Sequence, residues 1–552
     1  MADLTAITSW TLADAQHFAR RAGFGLTPAD AAVLQALAPG AAIDAWIDCT
    51  GTAYDPAAFN AALATADVVL EPLVSANTAV AGSVDVAAVA APHPFLVQGA
   101  DTWRNSLNTA QALLAWRMQH NPHAFEERLA LFWHNLFATG WHKVDNTALM
   151  LKQLQLFRSQ GLAKFDDLLV LVSKDPAMAL WLDSVLNNAA GANIPNENYA
   201  REVMELYSLG ADNGYNQTDI TQLARALSGW SFTFAEADYI QNPANPGQKF
   251  AADARFKVYD GTAIAPDTRL WWGGAATVSS NLHATGSITL FSQTLDVTTT
   301  ANGWAKGENA IRSIISAKGS NCAQFLARRL LTHFVTAGYS AQDQTDVANL
   351  IQGAAFDLRV VLKTLLKSQF FFSAASRYAL VEGPISWLVR ATRMLCPALP
   401  AGSAQTPKGY PAWRLVTNSA TTFDQMGMKL LDPTGPNGWK EHTAWLNSNT
   451  MRYRAKAVAA LALNETRAYN GTTYPLFPTF VTTDWFPSAP ASAQAVYDRL
   501  AALLQPAPIP ASVSAAWLAA LWPTTFTWDS ASQTKARELA FLILCSPSGQ
   551  LY

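Results

Sequence analysis

Apolar residues along the chain recur at three- and four-residue spacing far more often than they alternate, and helix caps punctuate the runs. Thr11 precedes a helical stretch that Gly23 ends. Thr27-Pro28 opens another, with Pro at the first helical position and Asp30 in the first turn. Asp175-Pro176 repeats the device before AMALWLDSVL. Asn196 does the same before ENYAREVMELYSL, which stops at Gly210, and Thr218 opens DITQLARALS, closed by Gly229. Longer helices are predicted over 101–120, 123–138, 145–158, 309–317, 321–336, 343–352, 357–369, 382–396, 451–464, 491–504 and 533–545. Alternating segments are few and fall mostly within 231–300, as WSFTF, RFKVYDG and SITLFSQT. Residues 72–98, rich in Ala, Val and Pro, read as a long irregular loop, and 397–412 and 465–490 as Pro/Gly-rich connections. The predicted fold class is mainly α. A large single helical domain, 1–464, carries a small β-containing insertion at 231–300, and a C-terminal helical appendage, 465–552, packs on it.

Composition bounds the function. Of 552 residues, 38 are Lys or Arg and 41 Asp or Glu, a charged fraction of 14% against roughly 25% in ordinary soluble proteins. Half the residues are hydrophobic and 19 are Trp, which excludes a disordered chain. A net charge of −3 excludes nucleic-acid binding through bulk charge. The longest uncharged run, between Arg499 and Asp529, is long enough to cross a bilayer of roughly 30 Å. Pro506, Pro508, Pro510 and Pro523 interrupt it, and lipid cannot replace the hydrogen bonds they remove. It reads as a loop and a short core helix, so no membrane span is expected. The opening MADLTAITSW has Asp3 where a secretory signal carries a cation, and no apolar core follows. The expectation is a cytoplasmic chain, or an exported one whose leader has been removed. Cys49, Cys322, Cys396 and Cys545 are scattered without a CxxC pair and are read as buried free thiols.

Three segments can carry chemistry. In GANIPNENYAREVMELYSLG, a helix starting after Asn196 places Asn198, Arg201, Glu202 and Glu205 on one polar face, with Tyr199, Val203 and Leu206 on an apolar one. Glu197 falls in the first turn, where a carboxylate suits the helix dipole. The bland reading is a solvated face with an Arg201–Glu205 pair. Against it, a chain poor in charge has placed four charged residues between Glu197 and Glu205, and carboxylates near a guanidinium suit acid–base chemistry. In EERLALFWHNLFATGWH, Glu127, Leu131 and His134 share a helical face and His142 follows the Gly140 stop. His134, beside Asn135 and flanked by aromatic residues, is either a general base in an apolar wall or a core histidine bonded to a carbonyl. The spacing matches no zinc motif. In GPNGWKEHTAWLNSNTMRYRA, a Gly435–Gly438 turn presents Trp439 and Trp445 beside Lys440, Glu441 and His442. That arrangement suits stacking on a sugar, or simply a loop anchored by tryptophan. Smaller candidates are His17, Arg20 and Arg21, Asp183, and Tyr259-Asp260-Gly261. No P-loop, no GxGxxG after a strand and no GxSxG occurs, so neither a nucleotide cofactor nor an α/β-hydrolase mechanism is expected.

The segments HFARRAGFG, ERLALFWHNLFATG, NENYAREVMELYSLG, YNQTDITQLARALSGW and PNGWKEHTAWLNSNTMRYR occur in this order. Together they resemble a large bacterial family known only as domain-of-unknown-function family 1800, from about residue 11 to the closing LAFLILCSPSGQLY. The resemblance implies a mainly helical protein and no established activity. It marks His134, Asn135, Asn196, Glu197, Asn198, Arg201, Glu202 and Glu205 as signature positions, and Asp183, Gly438, Trp439 and Arg454 as family-type positions. Members usually carry a His-Asp pair in the insertion, where this chain has Tyr259-Asp260, which weakens a metal or acid–base role there. Many members also look exported, which leaves the location open.

The leading functional reading is an enzyme acting on a carbohydrate or related polymer by acid–base chemistry, as a hydrolase or a lyase. Its catalytic candidates are Glu197, Glu202, Glu205 and His134, and its substrate-binding candidates Asn135, Asn198, Arg201, Trp439 and Trp445. As a lyase, His134 or Tyr199 would be the base, and Arg201 with Asn198 would hold a uronate carboxylate. The expected partner is a polysaccharide or a small polar ligand, with no cofactor, no metal and no nucleic acid. One alternative is a non-enzymatic surface or assembly protein in which the Asn/Arg/Glu network fixes structure. Another is a metal-dependent enzyme using His134, Glu127 and the carboxylate helix.

Overall fold

The caps legible in the sequence start the helices of the computed structural model. It describes residues 1–50, 102–144, 146–189, 193–233, 239–241, 249–251, 255–258, 282–284, 286–295, 303–395, 423–463, 466–469, 472–475 and 485–552. The 72–98 loop, Tyr259-Asp260, Cys396 and the 397–412 connection lie outside these residues. Thr11 and Asp14 form a reciprocal capping box before α1 (Leu12–Arg21), and Thr27 caps α2 (Pro28–Gln35). After α3 (Pro39–Ile47) come α4 (Thr102–His120), α5 (Ala124–Leu136), α6 (Trp141–Val144), α7 (Thr147–Gln160), α8 (Phe165–Ser173) and α9 (Pro176–Trp181). α10 (Asn198–Glu205) and α11 (Gln217–Ala226) follow. The cap of α11 is Asn216, boxed with Asp219, two residues before the predicted Thr218.

The two helices predicted over 309–317 and 321–336 are one, α12 (Gly303–Leu330), kinked at Lys318, whose φ/ψ of −127°/31° leaves the helical region. A π-helical turn, Leu331–Val335, ends it. α13 (Ala341–Gly353), α14 (Leu358–Lys367), α15 (Pro384–Leu395) and α16 (Ser448–Ala462) complete the central layers, followed by α17 (Ala493–Leu504), α18 (Ala511–Leu521) and α19 (Ser530–Cys545). α5 packs on α7, α8 on α12, α15 on α4 and α16, and α19 on α16 and α17. The predicted short core helix is α18, but it lies on the surface, with Ser514 its one fully buried residue. Three cysteines are described and none is paired. Cys322 is buried as expected, whereas Cys49 and Cys545 are half-buried.

The mainly α class holds, with β structure confined among the described residues to two-stranded antiparallel ribbons. β1 (Trp230–Thr233) pairs with β4 (Arg255–Val258), and β2 (Tyr239–Gln241) with β3 (Lys249–Ala251). SITLFSQT, read as one segment, is a hairpin of β5 (Ile288–Leu290) and β6 (Gln293–Leu295). Phe291 and Ser292 turn it with φ of 52° and 62°, the doubly left-handed turn that matches strand twist. A fourth ribbon, β7 (Thr466–Tyr469) with β8 (Thr472–Pro475), lies in the stretch read as a connection. No helix among the described residues is long and apolar enough to cross a membrane.

The core is continuous, and α5 runs through it with almost every residue buried. That position brings the FWHN segment into contact with elements from both halves of the chain.

Candidate functional site

The carboxylate helix α10 is two turns long, and Glu197 stands at its N-cap without capping it. Instead Asn196 accepts a bond from the Asn198 N–H at 2.9 Å, and Asn187 accepts one from the Asn196 N–H at 3.0 Å. Asn198 donates to the Leu182 carbonyl at 3.1 Å. Arg201 lies 3.3 Å from Glu197 and 3.5 Å from Glu205, and donates to Gln217 at 3.0 Å. Glu197 also accepts from Gln217 and from Thr221, both at 2.7 Å, which ties α10 to α11. The Arg201 side chain is 39% exposed, so these pairs are screened by water and stabilise little. Glu202 is half-buried. Burial, then the neighbouring Glu205, raises its pKa, and Arg201 opposes them. Nearby, Asp183 sits in the left-handed region (φ 58°) and pairs with Lys143 at 2.8 Å.

Beneath this helix Tyr199 donates to Ser173 at 2.7 Å, and Asp175 caps α9 through a bond from the Met178 N–H at 2.8 Å and one from Gln153 at 2.7 Å. Burial pushes Asp175 up from 3.8 to about 7 despite those bonds. A carboxyl whose folded pKa exceeds its unfolded one holds its proton more tightly when folded. Stability therefore falls as pH rises from about 3.8 to 7. Asp175→Asn keeps the accepting oxygen and removes the charge. It is expected to leave stability unchanged at pH 4 and to raise it by on the order of 2 kcal/mol at pH 8, read from chemical denaturation at both values. A loss of stability at pH 8 would contradict this.

On α5 the candidates separate. Glu127, fully buried, is held by Arg117 at 2.9 Å and Arg158 at 2.8 Å. It is saturated by guanidinium groups, and no three His, Cys, Asp or Glu among the described residues are grouped to hold a metal ion. His134 is fully buried, with neither ring nitrogen bonded among the described residues, and its ring stands edge-on to Trp439 at 5.2 Å. Burial, against the pull of Asp432, lowers its pKa to about 4, so it is neutral at pH 7. Asn135 joins two distant segments. Its side-chain oxygen accepts the Trp439 backbone N–H at 2.7 Å, and its side-chain amide donates to Glu441 at 3.0 Å.

That junction opens onto a pocket with a cavity volume of about 40 Å3, room for roughly three waters or one small polar group. Its polar lining includes Arg128, Asn135, His333, Glu441, His442 and Tyr552, and Trp439 and Trp445 form part of its wall. No residue of 197–205 lines it. Trp439 and Trp445 are 6% and 5% exposed, so each offers at most an edge for stacking. His333 comes from the π-helical turn, a distortion common at functional sites. His442 holds a left-handed backbone, φ 54°, of the kind that clusters in active sites.

The charges are sorted by burial. His333 lies 3.8 Å from Glu441. Burial carries His333 down to about 4, with Glu441 opposing, and lowers His442 in the same way. Burial works to raise Glu441, but neighbouring His333 and Arg329 bring it to about 2. At neutral pH the pocket therefore holds two uncharged imidazoles beside an ionised carboxylate. Outside the pocket, exposed His142 lies 2.6 Å from Asp432, which also accepts Lys429 at 2.7 Å.

Sequence reading named Asn135, Trp439 and Trp445 as ligand contacts, and all three meet here. Glu441 and His442 stood there only as polar neighbours of the tryptophans, and Arg128, His333 and Tyr552 had no role. Of the smaller candidates, His17 bonds the Phe371 carbonyl at 3.1 Å inside the core; the family-type position Arg454 bonds Gln550 at 2.8 Å. No curated protein and no solved structure matches the chain. A family profile described as "Protein of unknown function (DUF1800)" matches residues 17–551, nearly the whole length, and the chain belongs to that family.

Proposed function

We propose that the protein is an enzyme that acts on a carbohydrate or related polymer by general acid–base chemistry in the Asn135–His333–Glu441 pocket. One observation carries the reading. A neutral imidazole faces an ionised and anchored carboxylate in a half-enclosed pocket. His333 is the base in this reading, and its Nε2 is buried with no bond among the described residues. Glu441 stabilises the imidazolium that forms, and Asn135 fixes the carboxylate. Their 3.8 Å separation is a resting distance that substrate binding can tighten. A second reading puts the proton transfer on α10, where half-buried Glu202 has the raised pKa a general acid needs.

The test is a polysaccharide panel scored for new reducing ends and for unsaturated-uronate absorbance. His333→Gln is expected to lower turnover about 100-fold while the fold, read by circular dichroism, is retained, and Glu202→Gln to leave turnover within about twofold. Loss in Glu202→Gln alone would move the chemistry to α10. Absence of turnover across the panel would overturn the enzyme reading.

A further inference from the structure

Five guanidinium groups converge in the interior behind the pocket. Arg20, Arg21, Arg128, Arg390 and Arg454 are each at most 2% exposed. Among the described residues only Arg390 bonds a carboxylate, Glu382, at 2.8 Å. The others make do with neutral partners. Arg20 bonds Gln505 at 3.0 Å and Arg21 the Ser376 carbonyl at 2.5 Å. Arg128 donates to the Ser386 hydroxyl and the Tyr552 hydroxyl, both at 2.7 Å. Arg21 and Arg128 lie 4.5 Å and 5.1 Å from the centre of the Tyr552 ring. The Nε of Arg128, and the Nε and Nη1 of Arg21, have no bond among the described residues. A buried cation without a counter-charge is costly, and Arg128 is the one of the five that lines the pocket, together with Ser386 and Tyr552.

We infer that this end of the pocket is a subsite for a carboxylate of the substrate, so that the enzyme proposed above takes an acidic, uronate-like ligand. The inference rests on that reading for the words enzyme and substrate, though not for the site. Arg128 donates one N–H to each of the Ser386 and Tyr552 hydroxyl oxygens, so both hydroxyls remain able to donate. Tyr552 makes one long bond of its own, to the His333 carbonyl at 3.4 Å. A carboxylate would be met by two hydroxyls polarised by one cation, the charge-assisted donors that bind anions best. Glu441 lines the same pocket and repels added negative charge, which favours a single carboxylate over a phosphate dianion. A cavity volume of about 40 Å3 suits a group of that size.

Titration of the full chain with sodium glucuronate, acetate, glucose and inorganic phosphate, followed by calorimetry and thermal shift, tests the subsite. Glucuronate and acetate are expected to bind and glucose not to. Tyr552→Phe and Ser386→Ala, which keep the buried guanidinium, are each expected to weaken glucuronate at least tenfold, and Arg128→Lys by more. Equal binding of glucose and glucuronate, unchanged affinity in both hydroxyl variants, or phosphate binding without carboxylate binding would overturn the subsite. His333→Gln separates the two ideas, since it should retain glucuronate while losing turnover. Carboxylate binding without turnover on any polymer removes the enzyme reading and keeps the subsite. Turnover confined to neutral polymers does the reverse.

Discussion

Glu127→Gln is expected to destabilise the protein by about 3–5 kcal/mol, the range for breaking a buried ion pair from one side. The carboxylate is fully buried, and the Arg158 side chain that grips it is 5% exposed. A neutral amide leaves Arg158 and Arg117 with an uncompensated charge that water reaches poorly. The same pair sets an acid limit. Burial would raise Glu127, but Arg158 and then Arg117 bring it from 4.5 to about 2. A depressed carboxyl stabilises the fold above its unfolded pKa, and this contribution is lost as pH falls from about 4.5 through 2. Denaturant midpoints at pH 7 and an acid titration check both statements. A loss below about 1 kcal/mol, or an unchanged acid profile in the variant, would refute them.

The second large effect is expected at Gly438. Its φ of +75° disfavours any residue with a Cβ, and an added Cβ would lie 2.2 Å from the Asn135 carbonyl oxygen and 2.5 Å from its side-chain oxygen. Left-handed strain alone costs roughly 1–2 kcal/mol, and the overlap forces the loop off α5 in addition. Gly438→Ala is therefore expected to cost about 3 kcal/mol and to abolish ligand binding in the pocket, because the bonds from Trp439 and to Glu441 both end on Asn135. Gly435→Ala, three residues earlier with nothing within 4 Å of an added Cβ, is the control, expected within about 0.5 kcal/mol. Equal effects at the two glycines in thermal unfolding and glucuronate titration would overturn the assignment.

Local signals explain what the sequence made legible. Thr11, Thr27, Asp175 and Asp357 start helices through bonds made within three residues, and those bonds are written in neighbouring letters. FWHN and GPNGWKEH were visible as unusual segments. That Asn135 would bond Trp439, 304 residues away, was not, because nothing local specifies that contact. Arg128 carries no local signal within EERLALFWHNLFATGWH, and its burial follows from packing around α5. The paired charges of α10 stood out for their density, yet density does not distinguish a screened surface network from a cleft. His333 left the weakest trace. It follows Thr332 in RRLLTHFV with no motif around it, and its role depends on how the backbone winds there.

That winding affects how relatives are compared. A π-helical turn holds one residue more than an α-helical turn, so side chains beyond it are rotated by roughly 100° from where a helical wheel would draw them. A wheel extended from α12 would misplace His333, which lies inside the turn, by part of that rotation. A relative lacking a single residue between Leu331 and Val335 would keep a histidine there, align almost perfectly, and aim it elsewhere. A histidine at this position in a relative therefore marks a shared pocket only where the turn has the same length.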